Sequence, residues 1–228
     1  MRGRVMTAAR PAFSRMLVSS AALAFAVGAI APRAAAADRE EKRFAVSAVG
    51  SAMTLEEAGG SASPTAIGAR FRWGYGISDL FELTLVDAGF ATASGATYHG
   101  ATFIDSHRMQ QTGDLVGALY VMDVSVGGRL VANGTLSSTF ARVHPLVGLR
   151  GGLLVRVLGS PQLLDANRGN LVPGLSVDPA LVPFVAGAAG VEYRFGPALV
   201  LGLVAEVAYG GSSYTAGTLN VELSWLRY

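Results

Sequence analysis

Along most of the chain beyond residue 42, apolar side chains recur at every second position, and the sharpest instance runs from Val182 to Gly210. In its first arm Val185, Gly187, Ala189, Val191, Tyr193 and Phe195 alternate with Ala186, Ala188, Gly190, Glu192 and Arg194. After Gly196 and Pro197, a second arm sets Leu199, Leu201, Leu203, Val207 and Tyr209 against Val200, Gly202, Val204, Glu206 and Gly210. A period of two is the signature of a β-strand, and two such runs around a short Gly-Pro link predict a hairpin.

The same reading predicts strands over 43–53, 65–76, Phe81 to about Phe90, Asp114 to about Asp123, 142–157 and 215–228. A tight turn at Gly76 to Asp79 joins the second and third, and Asp87 breaks the parity of the third, which predicts a bulge or the membrane interface there. Polar, Gly-rich stretches predict loops over 54–64, 91–113 and 158–181. Segment 124–141 has no clear pattern; Val124 to Val131 extends the fourth strand or forms a separate one. Pro145 suits an entry position near the start of the fifth strand. Eight strands with both ends on one side give an all-β, eight-stranded, antiparallel up-and-down barrel.

Alternation alone does not say which face meets water. A soluble barrel turns its apolar face inward and covers the other with Lys, Glu, Thr and Asn. Here the second face is mostly Gly and Ala with isolated Arg or Glu, which suits the crowded inside of a narrow barrel. The chain is 51% hydrophobic and 15% charged, poor in the charges that keep a soluble surface in solution. The expected arrangement is therefore a transmembrane barrel with the apolar face toward lipid.

The amino-terminal region changes the charge reading. Arg2, Arg4, Arg10 and Arg15 precede an uncharged run from Met16 to Ile30, followed by Pro32 and the small residues Ala34 to Ala37. This predicts a signal peptide over 1–37, cleaved before Asp38, because the apolar run falls short of the ~20 residues that span a bilayer. Its removal takes away five arginines and leaves 13 basic against 16 acidic residues, so the barrel domain over 38–228 is mildly acidic and has no basic patch for nucleic acid. With no Cys there is neither a disulfide framework nor a lipid-anchored amino terminus.

The hairpin Phe71-Arg72-Trp73-Gly74-Tyr75-Gly76-Ile77-Ser78-Asp79-Leu80-Phe81-Glu82-Leu83 and the aromatic Tyr228 resemble the small eight-stranded outer-membrane β-barrels of Gram-negative bacteria. The resemblance covers nearly all of 38–228 and implies residence in the outer membrane, contact with its lipid and insertion by the barrel assembly machinery, which in that family reads the terminal strand. Here the alternation through Val221, Leu223 and Trp225 runs one step out of phase with Tyr228. No peptidoglycan-binding domain is expected after the last strand.

Candidate chemistry is sparse. Tyr98, His99, Asp105, Ser106 and His107 share one expected loop but show no nucleophile elbow. His144 reads as a structural histidine and Asn133-Gly134-Thr135 as a turn. No cofactor, metal or catalytic residue is assigned. Arg70, Arg72, Glu82, Asp123, Arg142, Arg150, Arg156, Glu192, Arg194, Glu206 and Glu222 all fall on the inward parity and form the expected set of lumen charges, with Arg72 and Glu82 opposite each other across the turn. The expected function is non-enzymatic, structural or a surface interaction with an extracellular ligand through the long loops, around a lumen plugged by these charges. The alternatives are a narrow passage for small or apolar solutes and a lipid-modifying enzyme using His99 or His107.

Overall fold

The computed structural model describes residues 41–57, 59–78, 80–104, 110–132, 142–165, 171–172 and 177–227. The expected signal peptide and the Asn133-Gly134-Thr135 turn lie outside them. Ten strands follow one another: β1 (Lys42–Glu57), β2 (Gly60–Ala62), β3 (Thr65–Gly76), β4 (Phe81–Ile104), β5 (Gln110–Val131), β6 (Val143–Asp165), β7 (Leu171–Val172), β8 (Ala180–Arg194), β9 (Leu199–Tyr209) and β10 (Tyr214–Arg227).

Eight of them close a ring in the order β1-β3-β4-β5-β6-β8-β9-β10, all antiparallel, with β10 returning to β1 from Lys42↔Arg227 to Leu55↔Tyr214. The short β2 lies on β1 and touches β4, and β7 lies on β6. Closure pairs the backbone donors and acceptors around the wall, the condition for strands to cross hydrocarbon.

Burial alternates along each strand, and the exposed face is the apolar one: Ile67 is 73% and Leu149 69% exposed, and Leu203, Leu219 and Val221 are exposed as well. Aromatic rings flank this belt. Near the short turns Phe44 stacks on Trp73 at 6.3 Å and Tyr193 meets Phe195 edge-on at 4.9 Å; near the other end Phe90 stacks on Tyr120 at 6.4 Å. Such girdles mark the two membrane interfaces of a strand barrel. Between them, eleven residues of β10, Thr215–Trp225, pair with β9, matching the ~9–11 residues of a tilted spanning strand.

The strand 65–76 ends where the sequence predicts, but four others run further. The expected loop 91–113 is largely strand, since β4 reaches Ile104 and β5 begins at Gln110. Beyond Thr92, where β3 leaves it, β4 keeps Ala93, Ala96, Tyr98 and Ala101 buried while Ser94 and His99 face water. A strand above the membrane turns polar side chains outward, so its composition imitates a loop. Likewise β1 continues through Glu57 and β6 through Asp165, shortening the loops expected at 54–64 and 158–181, and β5 carries 124–131 as one continuous strand.

The parity break at Asp87 is a bulge. Trp73 pairs with Val86 and Gly74 with Thr84, leaving Leu85 as the extra residue that turns Asp87 inward.

Leu203 pairs with Val191 and Val221 near the middle of the belt, whereas Leu201 pairs with Tyr193 beside the aromatic girdle. Leu203→Arg should therefore destabilise the barrel in lipid vesicles by ~2–4 kcal/mol, and Leu201→Arg by less. Equilibrium unfolding in denaturant measures both; equal, negligible losses would mean that this face does not meet hydrocarbon.

Candidate functional site

The inward faces bring charge together in two tiers. Toward the short turns, Arg43 on β1 donates to Glu82 Oε2 at 3.1 Å and Glu192 Oε2 at 2.8 Å. Arg129 on β5 donates to both oxygens of Glu82 at 2.9 and 3.0 Å and to Glu222 Oε1 at 3.1 Å. Glu222 also accepts from Arg72 at 2.5 Å and from the Ser224 hydroxyl at 2.8 Å, while Arg72 reaches Asp87 Oδ2 at 3.0 Å.

The second tier lies closer to mid-barrel. Arg150 on β6 donates to Glu206 at 2.6 and 2.9 Å, to Asp123 Oδ2 at 2.7 Å and to the Ser125 hydroxyl at 2.8 Å. Arg70 on β3 lies 3.2 Å from Glu206, 3.3 Å from Asp123 and 3.3 Å from Asp87. Glycines make the room. A Cβ at Gly74 would press on the Glu82 carboxylate, and one at Gly89 on that of Asp123.

These contacts run across the interior as well as along the wall. In a ring of eight, β5 and β10 are four places apart, so Arg129 to Glu222 crosses the full diameter. Arg43 to Glu192 and Arg70 to Glu206 each join strands three places apart. Above the tiers the interior turns apolar, with Met53, Leu55, Tyr98, Leu115, Leu154 and Phe184 in one buried cluster. Phe184 joins the two regions, its ring centroid 4.8 Å from the Arg150 guanidinium. Alongside this cluster, Arg156 donates to Ser213 O at 3.0 Å, to Glu56 O at 3.2 Å and to Glu57 Oε2 at 3.1 Å, again from β6 to the diametrically opposite β1. Between Arg70, Asp123 and Tyr214 lies a cavity of ≈ 20 Å³, room for about one water.

Of the eleven charges assigned to the lumen from the sequence, Arg70, Arg72, Glu82, Arg150, Arg156, Glu192, Glu206 and Glu222 are buried, and Asp123 nearly so. Arg194, at the lower rim, is half-buried with its Nε 3.6 Å from Glu192 Oε1. Arg142 is not a lumen residue: β6 begins one residue later, and Arg142 sits exposed in the preceding turn, where parity no longer applies. Arg72 and Glu82 are not partners either. The turn sets Gly76, not Arg72, opposite Glu82, and the bulge at Leu85 then moves Asp87 into the place opposite Arg72 that Val86 would otherwise take.

Three members escaped the sequence reading. Arg43 opens the expected strand 43–53 but is absent from the expected lumen set, yet it is 2% exposed and shares the parity of Ala45 and Ser47. Arg129 stands three inward steps beyond Asp123, so extending that strand would have found it. Asp87 needed the bulge.

The candidate catalytic set does not assemble among the described residues. Tyr98 and His99 are neighbours on one strand and point to opposite sides, Tyr98 buried and His99 exposed. His99 Nδ1 shares a hydrogen bond with Asp114 Oδ2 at 3.0 Å, and Ser61 lies opposite in register without a hydrogen bond to that ring. Asp105, Ser106 and His107 fall outside the described residues. His144 is buried on β6. Among the described residues no group of three or more His, Asp or Glu is placed to hold a metal.

Ion pairs inside and apolar side chains outside invert the arrangement of a water-soluble protein, and closed strand barrels of this kind belong to the outer membrane. The chain is an eight-stranded outer-membrane β-barrel.

No protein-family model matches the sequence, and no curated protein matches it. Similar solved structures include the attachment invasion locus protein Ail of Yersinia pestis in complex with the heparin analogue sucrose octasulfate, 14% identical over 83% of this chain and 99% of that one, TM-score 0.46. Neisserial surface protein A is 19% identical over 80% of this chain and 96% of its own, TM-score 0.46. The outer membrane protein OprG from Pseudomonas aeruginosa is 12% identical over 83% and 97%, TM-score 0.44.

The observed pairing dictates a double-mutant cycle. Glu82→Ala leaves Arg43 and Arg129 short of a partner and should cost ~3–5 kcal/mol, because the loss strands buried charge. Arg129→Ala and Glu82→Ala should be non-additive by ~0.5–3 kcal/mol, and Arg72→Ala with Glu82→Ala closer to additive. Unfolding free energies of the singles and doubles decide it; a larger coupling for Arg72 with Glu82 would refute this network.

Proposed function

We propose that this outer-membrane barrel is non-enzymatic, that its lumen is plugged by its own side chains, and that its work is structural or done at the surface by the strands and loops above the membrane. The observation that carries this reading is the Arg129 to Glu222 contact across the full diameter. Arg43, Arg70 and Arg150 link further strands around it. An eight-stranded barrel is just wide enough for side chains to fill, and here they meet at hydrogen-bonding distance. Arg156 and the apolar cluster alongside it add a second barrier of different chemistry.

In this account residues 1–37 are a signal peptide, the mature chain starts at Asp38, and the barrel assembly machinery inserts it. The surface role rests on the β4–β5 hairpin, which runs well past the Phe90–Tyr120 stack and offers Ser94, Thr97, His99 and Asp114 away from the core. Loops and strand ends held by a rigid wall are the usual carriers of specificity. A ligand of that surface would be extracellular.

The refolded chain should show no steady conductance in planar bilayers and no uptake of small solutes into vesicles. A reproducible open level from the wild type would overturn the plug and favour a narrow passage.

A further inference from the structure

Among the described residues, two cations on the outer wall, beside the aromatic girdle at the end with the short turns, have no ionic partner. Across β3, β1 and β10 the register places Trp73, Phe44 and Trp225 in one row and Tyr75, Lys42 and Arg227 in the next. All six lie on the lipid-facing parity. Lys42 and Arg227 stand directly opposite each other, a position in which like charges on a strand pair repel. Both are exposed, and among the described residues no ion pair or hydrogen bond reaches either side chain. The nearest acids to them in sequence, Glu41 for Lys42 and Glu222 for Arg227, are turned to the buried side.

Depth supplies the missing partner. The aromatic row sits where rings settle at a membrane interface, and the next outward row is two residues further along, ~6–7 Å toward the headgroups. Short turns face the periplasm in barrels of this architecture, so the row lies against the periplasmic leaflet. We propose that Lys42 and Arg227 form a binding site for the phosphate of an anionic phospholipid in that leaflet, with the Tyr75 hydroxyl as a third donor and the Phe44–Trp73 stack against the glycerol region. An ammonium and a guanidinium held side by side recognise one shared anion, and the ligand removes the repulsion built into the strand pair. The inference rests on the outward face meeting lipid and is independent of what fills the lumen.

The chain contains two tryptophans, and both belong to this row. Their fluorescence therefore reports the lipid at the site. The mature chain is reconstituted into phosphatidylcholine vesicles containing a small fraction of either brominated phosphatidylglycerol or brominated phosphatidylcholine, and insertion is verified by heat-dependent gel migration. Quenching by the brominated phosphatidylglycerol should exceed that by the zwitterionic lipid, corresponding to about tenfold local enrichment, and should weaken as salt rises. In Lys42→Gln/Arg227→Gln the two lipids should quench alike, while Arg142→Gln, at the same end on the opposite wall, should keep the difference. Equal quenching in the inserted wild type, or an undiminished excess in the double variant, would refute the site. No quenching by either lipid would instead refute the membrane-facing belt.

Discussion

Burying charge in a lumen walled off by lipid is costly, and everything else in this barrel follows from how that cost is met. An isolated ion moved from water to a low-dielectric interior loses many kcal/mol of solvation, which only several well-placed counter-charges recover. Here no acid in the lower tier serves a single arginine: Glu82 accepts from Arg43 and Arg129, and Glu222 from Arg72 and Arg129. Sharing in this way fixes relative strand positions around the ring, because the partners come from different walls. A slip of one residue would turn each charge out to hydrocarbon and each leucine into the lumen.

The same requirement explains two backbone features. The bulge at Leu85 departs from regular pairing in order to aim Asp87 at Arg70 and Arg72, and Gly74 and Gly89 clear the space that Glu82 and Asp123 occupy. Toward the outer mouth the solution changes from ion pairs to apolar packing, with Tyr98, Leu115 and Leu55 buried under the extended β4–β5 hairpin. In the proposed plug two chemistries act in series, ion pairs and apolar packing, so that a single substitution in either should leave the other in place.

What the sequence made legible was set by which physical signal dominated locally. Inside the membrane, lipid on one side and a crowded lumen on the other force strict alternation, so 65–76 and the hairpin around Gly196 could be read directly. Above the membrane, water on the outer face removes the contrast, and Ser94 to Thr112 read as loop although most of it is strand. Lumen charges followed from parity wherever the strand was regular. Parity failed at the bulge, which hid Asp87, and at strand ends, where it misplaced Arg142; the wrong partner for Arg72 came from the turn register, which pairs Gly76 with Glu82. Arg43 was missed for the opposite reason: a cluster of charged neighbours disguised the first inward residue of β1. Cross-lumen partners such as Arg129 and Glu222, 93 residues apart, depend on ring closure, which no local pattern contains.

The central claim is that a wall-to-wall ion network excludes bulk water from the lumen. It is tested most directly by the exchange of guanidinium protons with water, measured by nitrogen-resolved NMR on the refolded barrel with arginines assigned by substitution. The account predicts that Arg43, Arg72 and Arg129 retain their protons far longer than the exposed Arg142 and Arg227. Equally fast exchange from all five would contradict it.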